Sequence, residues 1–139
     1  MAWRYMGAFH VICVECGCTG GFADALGEFA HAAAGAASAG GVAPARQLVE
    51  LAPIARSLGQ SLQRSEAEPQ VERALATIES ADLLVAAVPV YRGSYPGLFK
   101  HLVDFIGLDA LVDTPVLLAA TGGSERHALV IDHQLRPLF

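Results

Sequence analysis

Three short glycine-containing stretches, Cys16 to Gly21, Pro89 to Tyr95 and Thr121 to Ser124, each follow an apolar run and lead into a helical pattern. Such loops offer unpaired backbone N–H groups at the positive end of a helix dipole, which suits a phosphate or an electron-rich ring edge. Glycine also serves turns for steric reasons, so each loop alone is a weak signal, and it is their convergence on one sheet edge that makes a ligand site. Arg92 stands in the second loop, where a guanidinium suits an anionic ligand, and Tyr91 and Tyr95 flank it, placed either to stack on a ring or to pack as local core. His10, Cys13, Cys16 and Cys18 form a different cluster, with donor types that bind zinc. On an extended strand Cys13 points away from the other three, so these are read as ordinary buried or loop residues and no metal is expected. Lys100 and Asp104 are one helical turn apart and read as a solvated pair. Asp132, His133 and Arg136 read as a polar helix face, and His127 shares that ambiguity.

The elements that must hold these loops follow from periodicity. Phe9 to Val14 is a short apolar, β-branched strand, and a helical stretch runs from Phe22 to about Ala37. Gln47 to Leu51 is a second, edge strand, and Arg56 to Glu68 is polar and irregular. Pro69 opens an amphipathic helix in which Val71, Leu75 and Ile78 recur at helical spacing, ending near Ala81. Leu83 to Val88 is continuously apolar, the pattern of a strand covered on both faces of a parallel sheet. Pro96 opens a helix carrying Leu98, Leu102, Phe105 and Ile106, Gly107 to Asp113 turns the chain, Thr114 to Ala120 is another buried strand, and a helical pattern runs from about Glu125 to Leu135. Strands alternating with helices give an α/β fold with a parallel sheet.

Composition bounds the function. The 139 residues suit a single domain, and 53% hydrophobic against 17% charged residues excludes a disordered tail protein. Nine Lys and Arg against 14 Asp and Glu give a net charge of -5, with no electrostatic footprint for nucleic acid or an anionic membrane. The three cysteines are too close together for a secreted disulfide framework, which points to a reducing cytoplasm. No signal peptide is expected after Arg4, and the 17 uncharged residues between Glu28 and Arg46 are too weakly apolar to span a bilayer.

Ala81-Asp82-Leu83-Leu84-Val85, running into Pro89-Val90-Tyr91-Arg92-Gly93-Ser94-Tyr95-Pro96-Gly97 and then Leu98-Phe99-Lys100-His101-Leu102-Val103-Asp104, resembles the third strand, flavin loop and following helix of the NAD(P)H-dependent FMN reductases. Pro115 to His127 continues the resemblance, which is specific over about 78–139 and loose before, and is nearest to the alkanesulfonate- and methanesulfonate-associated branch. It implies a flavodoxin-like, three-layer α/β/α domain over 1–139, with four strands in the order 2-1-3-4 and without the usual fifth. It implies FMN with NADPH or NADH, bound by Thr19, by Pro89, Val90, Tyr91, Arg92, Gly93 and Ser94, and by Thr121, Gly122, Gly123 and Ser124. The cofactors carry the hydride transfer and no side chain acts as acid or base. A bulky side chain at Gly122 would crowd the flavin edge. It also implies a transient flavin-dependent sulfonate monooxygenase partner in sulfur assimilation, a homo-oligomer (dimer or tetramer), and an extra residue near His133 that widens a turn into a π-bulge at a subunit interface.

The sequence departs from the family pattern twice. The first loop reads Glu15-Cys16-Gly17-Cys18-Thr19-Gly20-Gly21, so only Thr19 and glycine N–H groups remain for the FMN phosphate, beside a repelling Glu15. The family pattern also continues past the Phe139 position with a further strand and helix, which would leave the fourth strand as an apolar edge that an oligomer must cover. Two competing readings are a quinone or azo reductase with tightly bound FMN, and a truncated, non-catalytic flavin-binding or assembly protein.

Overall fold

The computed structural model describes residues 10–15 and 45–139, with Glu28 and Ala32 as single helical positions between them. The first glycine loop with Thr19, Cys16 and Cys18, and the rest of the helix read over 22–37, lie outside the described residues.

Four strands are described: β1 (His10–Glu15), β2 (Ala45–Glu50), β3 (Leu83–Pro89) and β4 (Val116–Thr121). Every pairing is parallel, and among the described residues the spatial order is β2-β1-β3-β4. Ile12 lies opposite Gln47 on one side and Leu84 on the other, and Pro89 lies opposite Thr121. The β1–β3 pairing ends at Glu15 and Ala87, two residues before Pro89, so the missing proline N–H leaves no gap in that ladder. The parallel α/β layering expected from the sequence is present.

Six of the seven β3 residues are buried, as a strand covered on both faces requires. Leu84, Ala86 and Val88 join the main core cluster with Ile12 and Val14, while Val85 and Ala87 are fully buried outside it. In contrast, all six β4 residues are half-buried. The buried strand expected over 114–120 is therefore an apolar edge over Val116–Thr121, because among the described residues it has a neighbour on the β3 side alone.

The sequence reading misses one helix. Residues 51–60, expected as a strand end followed by irregular chain, form helix α1 (Leu51–Gln60), with Leu51, Ile54, Ser57 and Leu58 buried on one face. Pro53 falls in the first turn, where its absent N–H would have no intrahelical partner anyway. A 3₁₀ turn (Arg64–Glu66) follows, then α2 (Pro69–Glu79), with Pro69 in its first turn and Val71, Leu75 and Ile78 buried. Each of those side chains contributes about 1.5–3 kcal/mol on burial, and an acidic residue at Leu75 would undo that packing. Helix α3 (Gly97–Asp104) begins after Pro96 and buries Phe99 and Leu102. The helix expected over 125–135 is instead a 3₁₀ turn (Glu125–His127), a π-helical turn (Ile131–Leu135) and a final 3₁₀ turn (Arg136–Leu138).

Candidate functional site

The chain runs from β1 to β2 on one side and then from β2 to β3 on the other side of β1, so the topological switch point lies between β1 and β3, and ligands in such sheets bind outside the carboxyl ends of the strands there. Two of the three predicted loops are described, and both lie at that end. They are tied at their roots: Pro89 is in register with Thr121, and the Val90 N–H donates to the Thr121 carbonyl at 2.7 Å.

Beyond Val90 the chain makes a two-residue hairpin. The Tyr91 N–H donates to the Ser94 carbonyl at 2.9 Å and the Ser94 N–H to the Tyr91 carbonyl at 3.1 Å. Arg92 and Gly93, at its tip, have φ of 55° and 80°, the left-handed values that a type I′ turn demands at both central positions. Glycine adopts this freely, whereas for arginine it costs about 1–2 kcal/mol. Tyr91, Arg92 and Gly93 are exposed. The Tyr95 ring instead packs against Phe99 with centroids 6.2 Å apart, joining the core margin, the local-core alternative of its two expected roles. The Ser94 hydroxyl donates to Gln134 Oε1 at 3.0 Å, which links the hairpin to the π-helical turn.

In the other loop Thr121 is half-buried and Gly122, Gly123 and Ser124 are exposed. A side chain at Gly122 would first meet His127, not a ligand: its Cβ would lie 2.7 Å from His127 Cβ and 2.9 Å from Nδ1, whereas one at Gly123 would meet nothing within 4 Å. His127 Nδ1 is buried without a hydrogen-bond partner among the described residues. Among the described residues, the N–H groups of Arg92, Gly93, Gly122, Gly123 and Ser124 donate no hydrogen bond. Between the loops a cavity of about 180 Å³ is lined by Val90, Ala120, Gly122, Ser124, His127 and Ile131. The larger cavity, about 510 Å³, opens at the amino end of the sheet among Val103, Ile106, Leu111, Val116 and Phe139, and is lined by none of the predicted ligand residues that are described.

The perturbed carboxylates also lie away from the loops. Arg64 holds Glu79 and Glu72 below the ordinary carboxylate value through hydrogen bonds, and the Leu62 N–H, followed by the Gln63 side chain, does the same for Glu66. Lys100 pairs with Asp104 across one exposed helical turn, and Arg136 with Asp132 at 2.6 Å, as expected of solvated faces. His133 is exposed within the π-helical turn, the geometry implied for that position. Gln134, which no motif singles out, is the tethering residue that the sequence reading misses.

A family model described as NADPH-dependent FMN reductase matches residues 16–139. The chain belongs to this family. Over 92 residues it is 70% identical to the NADH-dependent FMN reductase SfnF of Pseudomonas fluorescens, a match covering 66% of this chain and 49% of that protein. The chain spans about half the length of the curated relatives it matches. An X-ray structure of an oxidoreductase from Corynebacterium diphtheriae superposes with a TM-score of 0.85 at 32% identity, covering 94% of this chain and 73% of that one. A flavodoxin, WrbA-like protein from Agrobacterium tumefaciens superposes with a TM-score of 0.52 at 14% identity, over 94% of this chain and 69% of its own, which identifies the fold of this FMN reductase family member as flavodoxin-like.

Proposed function

We propose that the chain binds FMN at the carboxyl end of its sheet and reduces it with NADH or NADPH. The observation that carries this is the convergence of two loops at the carboxyl ends of β3 and β4, with backbone N–H groups that donate no hydrogen bond among the described residues, in a chain that belongs to the FMN reductase family. The donors fit the group: the N–H groups of Gly122, Gly123 and Ser124, and those of Arg92 and Gly93, suit the electron-rich edges of an isoalloxazine, and the exposed glycines let it approach the backbone closely. When bound, FMN supplies the acceptor for a nicotinamide hydride, which with one proton from solvent gives the reduced flavin and the oxidised nicotinamide. The chain's own part is to orient and to exclude water. Pro89, Val90, Tyr91, Gly93 and Ser94 line the ring and ribityl side, Thr121, Gly122, Gly123 and Ser124 the opposite edge, and Thr19 with its neighbouring N–H groups serves the phosphate. Arg92 faces the phosphates of either cofactor.

We further infer that residues 1–139 act as one three-layer domain with the strand order 2-1-3-4. It works in the cytoplasm as a dimer or tetramer and hands reduced FMN to a flavin-dependent sulfonate monooxygenase in sulfur assimilation. Two observations support this: among the described residues the half-buried, apolar β4 has a neighbour on the β3 side alone, and the residues over about 78–139 resemble the sulfonate-associated branch. Adding FMN to the purified chain and following nicotinamide absorbance tests the activity. Turnover that saturates with FMN is expected, and none at saturating FMN in a sample shown to be folded would overturn it.

A further inference from the structure

We propose that His127 is a positioning residue for the Thr121–Ser124 loop, its imidazole wedged beneath Gly122 so that backbone, and no side chain, faces the ligand there. The ligand half of this inference rests on the flavin reading above, while the wedge stands on packing alone.

Three observations carry it. A Cβ at Gly122 would sit 2.7, 2.9 and 3.1 Å from Cβ, Nδ1 and Cγ of His127, distances that require one of the two to move. The obstacle is the near end of the side chain, Cβ and Cγ, which moves only with the backbone or by a change of rotamer. Second, Gly122 has no positive φ, in contrast to Gly93, and its neighbour Gly123 has open space where a side chain would go. Conformation therefore does not demand glycine at 122; the His127 side chain, from its Cβ outward, does. Third, the loop closes on the same residue through its main chain, because the His127 N–H donates to the Ser124 carbonyl at 3.1 Å. His127 thus fixes the loop at both ends, by contact at Gly122 and by hydrogen bond at Ser124, and the loop N–H groups at 122–124 donate to no described residue. Its Nδ1 has no partner among the described residues, so the contact with Gly122 is steric.

A double-mutant cycle separates this from a general need for glycine. Gly122→Ala, His127→Gly and the Gly122→Ala/His127→Gly double variant are compared by melting without flavin and by FMN KM and kcat, with Gly123→Ala compared by melting alone. Gly122→Ala should lower the melting temperature and raise the FMN KM about tenfold with kcat within about twofold, His127→Gly should raise KM about threefold by loosening the loop, and Gly123→Ala should melt close to the wild type. Removing the whole side chain, Cβ included, should make room for the methyl, so the double variant should match His127→Gly in KM and in melting temperature. Equal damage from Gly122→Ala with and without the His127 side chain, or a loss of melting temperature from Gly123→Ala as large as from Gly122→Ala, would overturn the proposal. Absence of FMN binding in the wild-type chain would overturn the flavin reading and the positioning role with it. The melting cycle would still decide the wedge.

Discussion

Arg64 and Arg92 both lie in short connections beside the same sheet, and they are used in opposite ways. Arg64 spends its donors inside the protein: Nη2 reaches Glu72 at 2.6 Å and Glu79 at 3.0 Å, Nε reaches Glu72 at 3.1 Å, and Nη1 bonds both Glu79 and the Phe105 carbonyl, the latter at 3.1 Å. Glu79 in turn accepts the Gly107 N–H at 2.9 Å, so one guanidinium joins the end of α2 to the chain leaving α3 at the amino end of the sheet. Arg92, at the carboxyl end, holds an unfavourable φ and has no hydrogen bond or ion pair among the described residues. Where polar groups are mutually satisfied they hold elements together, and where they are left unpaired on a tightly formed turn they are available to a ligand.

The comparison breaks most visibly at Arg64. Arg64→Ala should cost about 2 kcal/mol, a figure reduced because the side chain is one-third exposed, and should leave the FMN KM unchanged. Thermal melting and steady-state kinetics check the two halves. The effect should also depend on pH. Glu79 is held below its ordinary value of 4.5, first by the Arg64 hydrogen bonds and then by the Gly107 N–H against an opposing effect of burial. A carboxylate with a lowered folded-state pKa binds fewer protons folded than unfolded, so its stabilisation is complete above the unfolded value and is lost as pH falls through the folded one. The gap in melting temperature between wild type and Arg64→Ala should therefore be constant at neutral pH and narrow below about pH 4.5.

Arg92→Gly should do the reverse of Arg64→Ala. It relieves the left-handed backbone at 92 and loses only an exposed side chain, so stability should rise by about 0.5–1 kcal/mol after the added freedom of the unfolded glycine is set against it. FMN or nicotinamide KM should rise about threefold with loss of the guanidinium. A variant that melts lower with unchanged kinetics would show Arg92 to be structural after all.

The same distinction decides what could be read from the sequence. β3 is legible because burial on both faces leaves an uninterrupted apolar run, Leu83 to Val88. Helix α1 is hidden because Ser57 occupies its buried face, made acceptable by a hydroxyl bond to Glu68 Oε2 at 2.8 Å, and because Pro53 and Gly59 interrupt the pattern. The two described candidate loops are legible from glycine placement after strands, but the different reasons for those glycines are not. Gly93 answers a backbone conformation, which a hairpin signal can suggest, and Gly122 answers a side chain five residues later, which periodicity cannot reveal. The Ser94–Gln134 tether is likewise invisible, since it depends on the register that the π-helical turn gives to Gln134.

The smallest expected effect sharpens what makes Arg64 matter. If ion pairing alone held the amino end, the Lys100–Asp104 pair, which lies along α3 one turn apart, should be worth a comparable amount. Its two side chains are 39% and 52% exposed, the cation precedes the anion, and Lys100 reaches no second element. Lys100→Ala should therefore change stability by less than about 0.5 kcal/mol, and high salt should erase most of that. Arg64 should keep most of its effect in the same salt, because it also donates to the Phe105 carbonyl and positions Glu79 on the Gly107 N–H, contacts that screening weakens little. Melting both variants at low and high ionic strength measures the difference, and equal losses at low salt that vanish together would assign the amino end to charge alone.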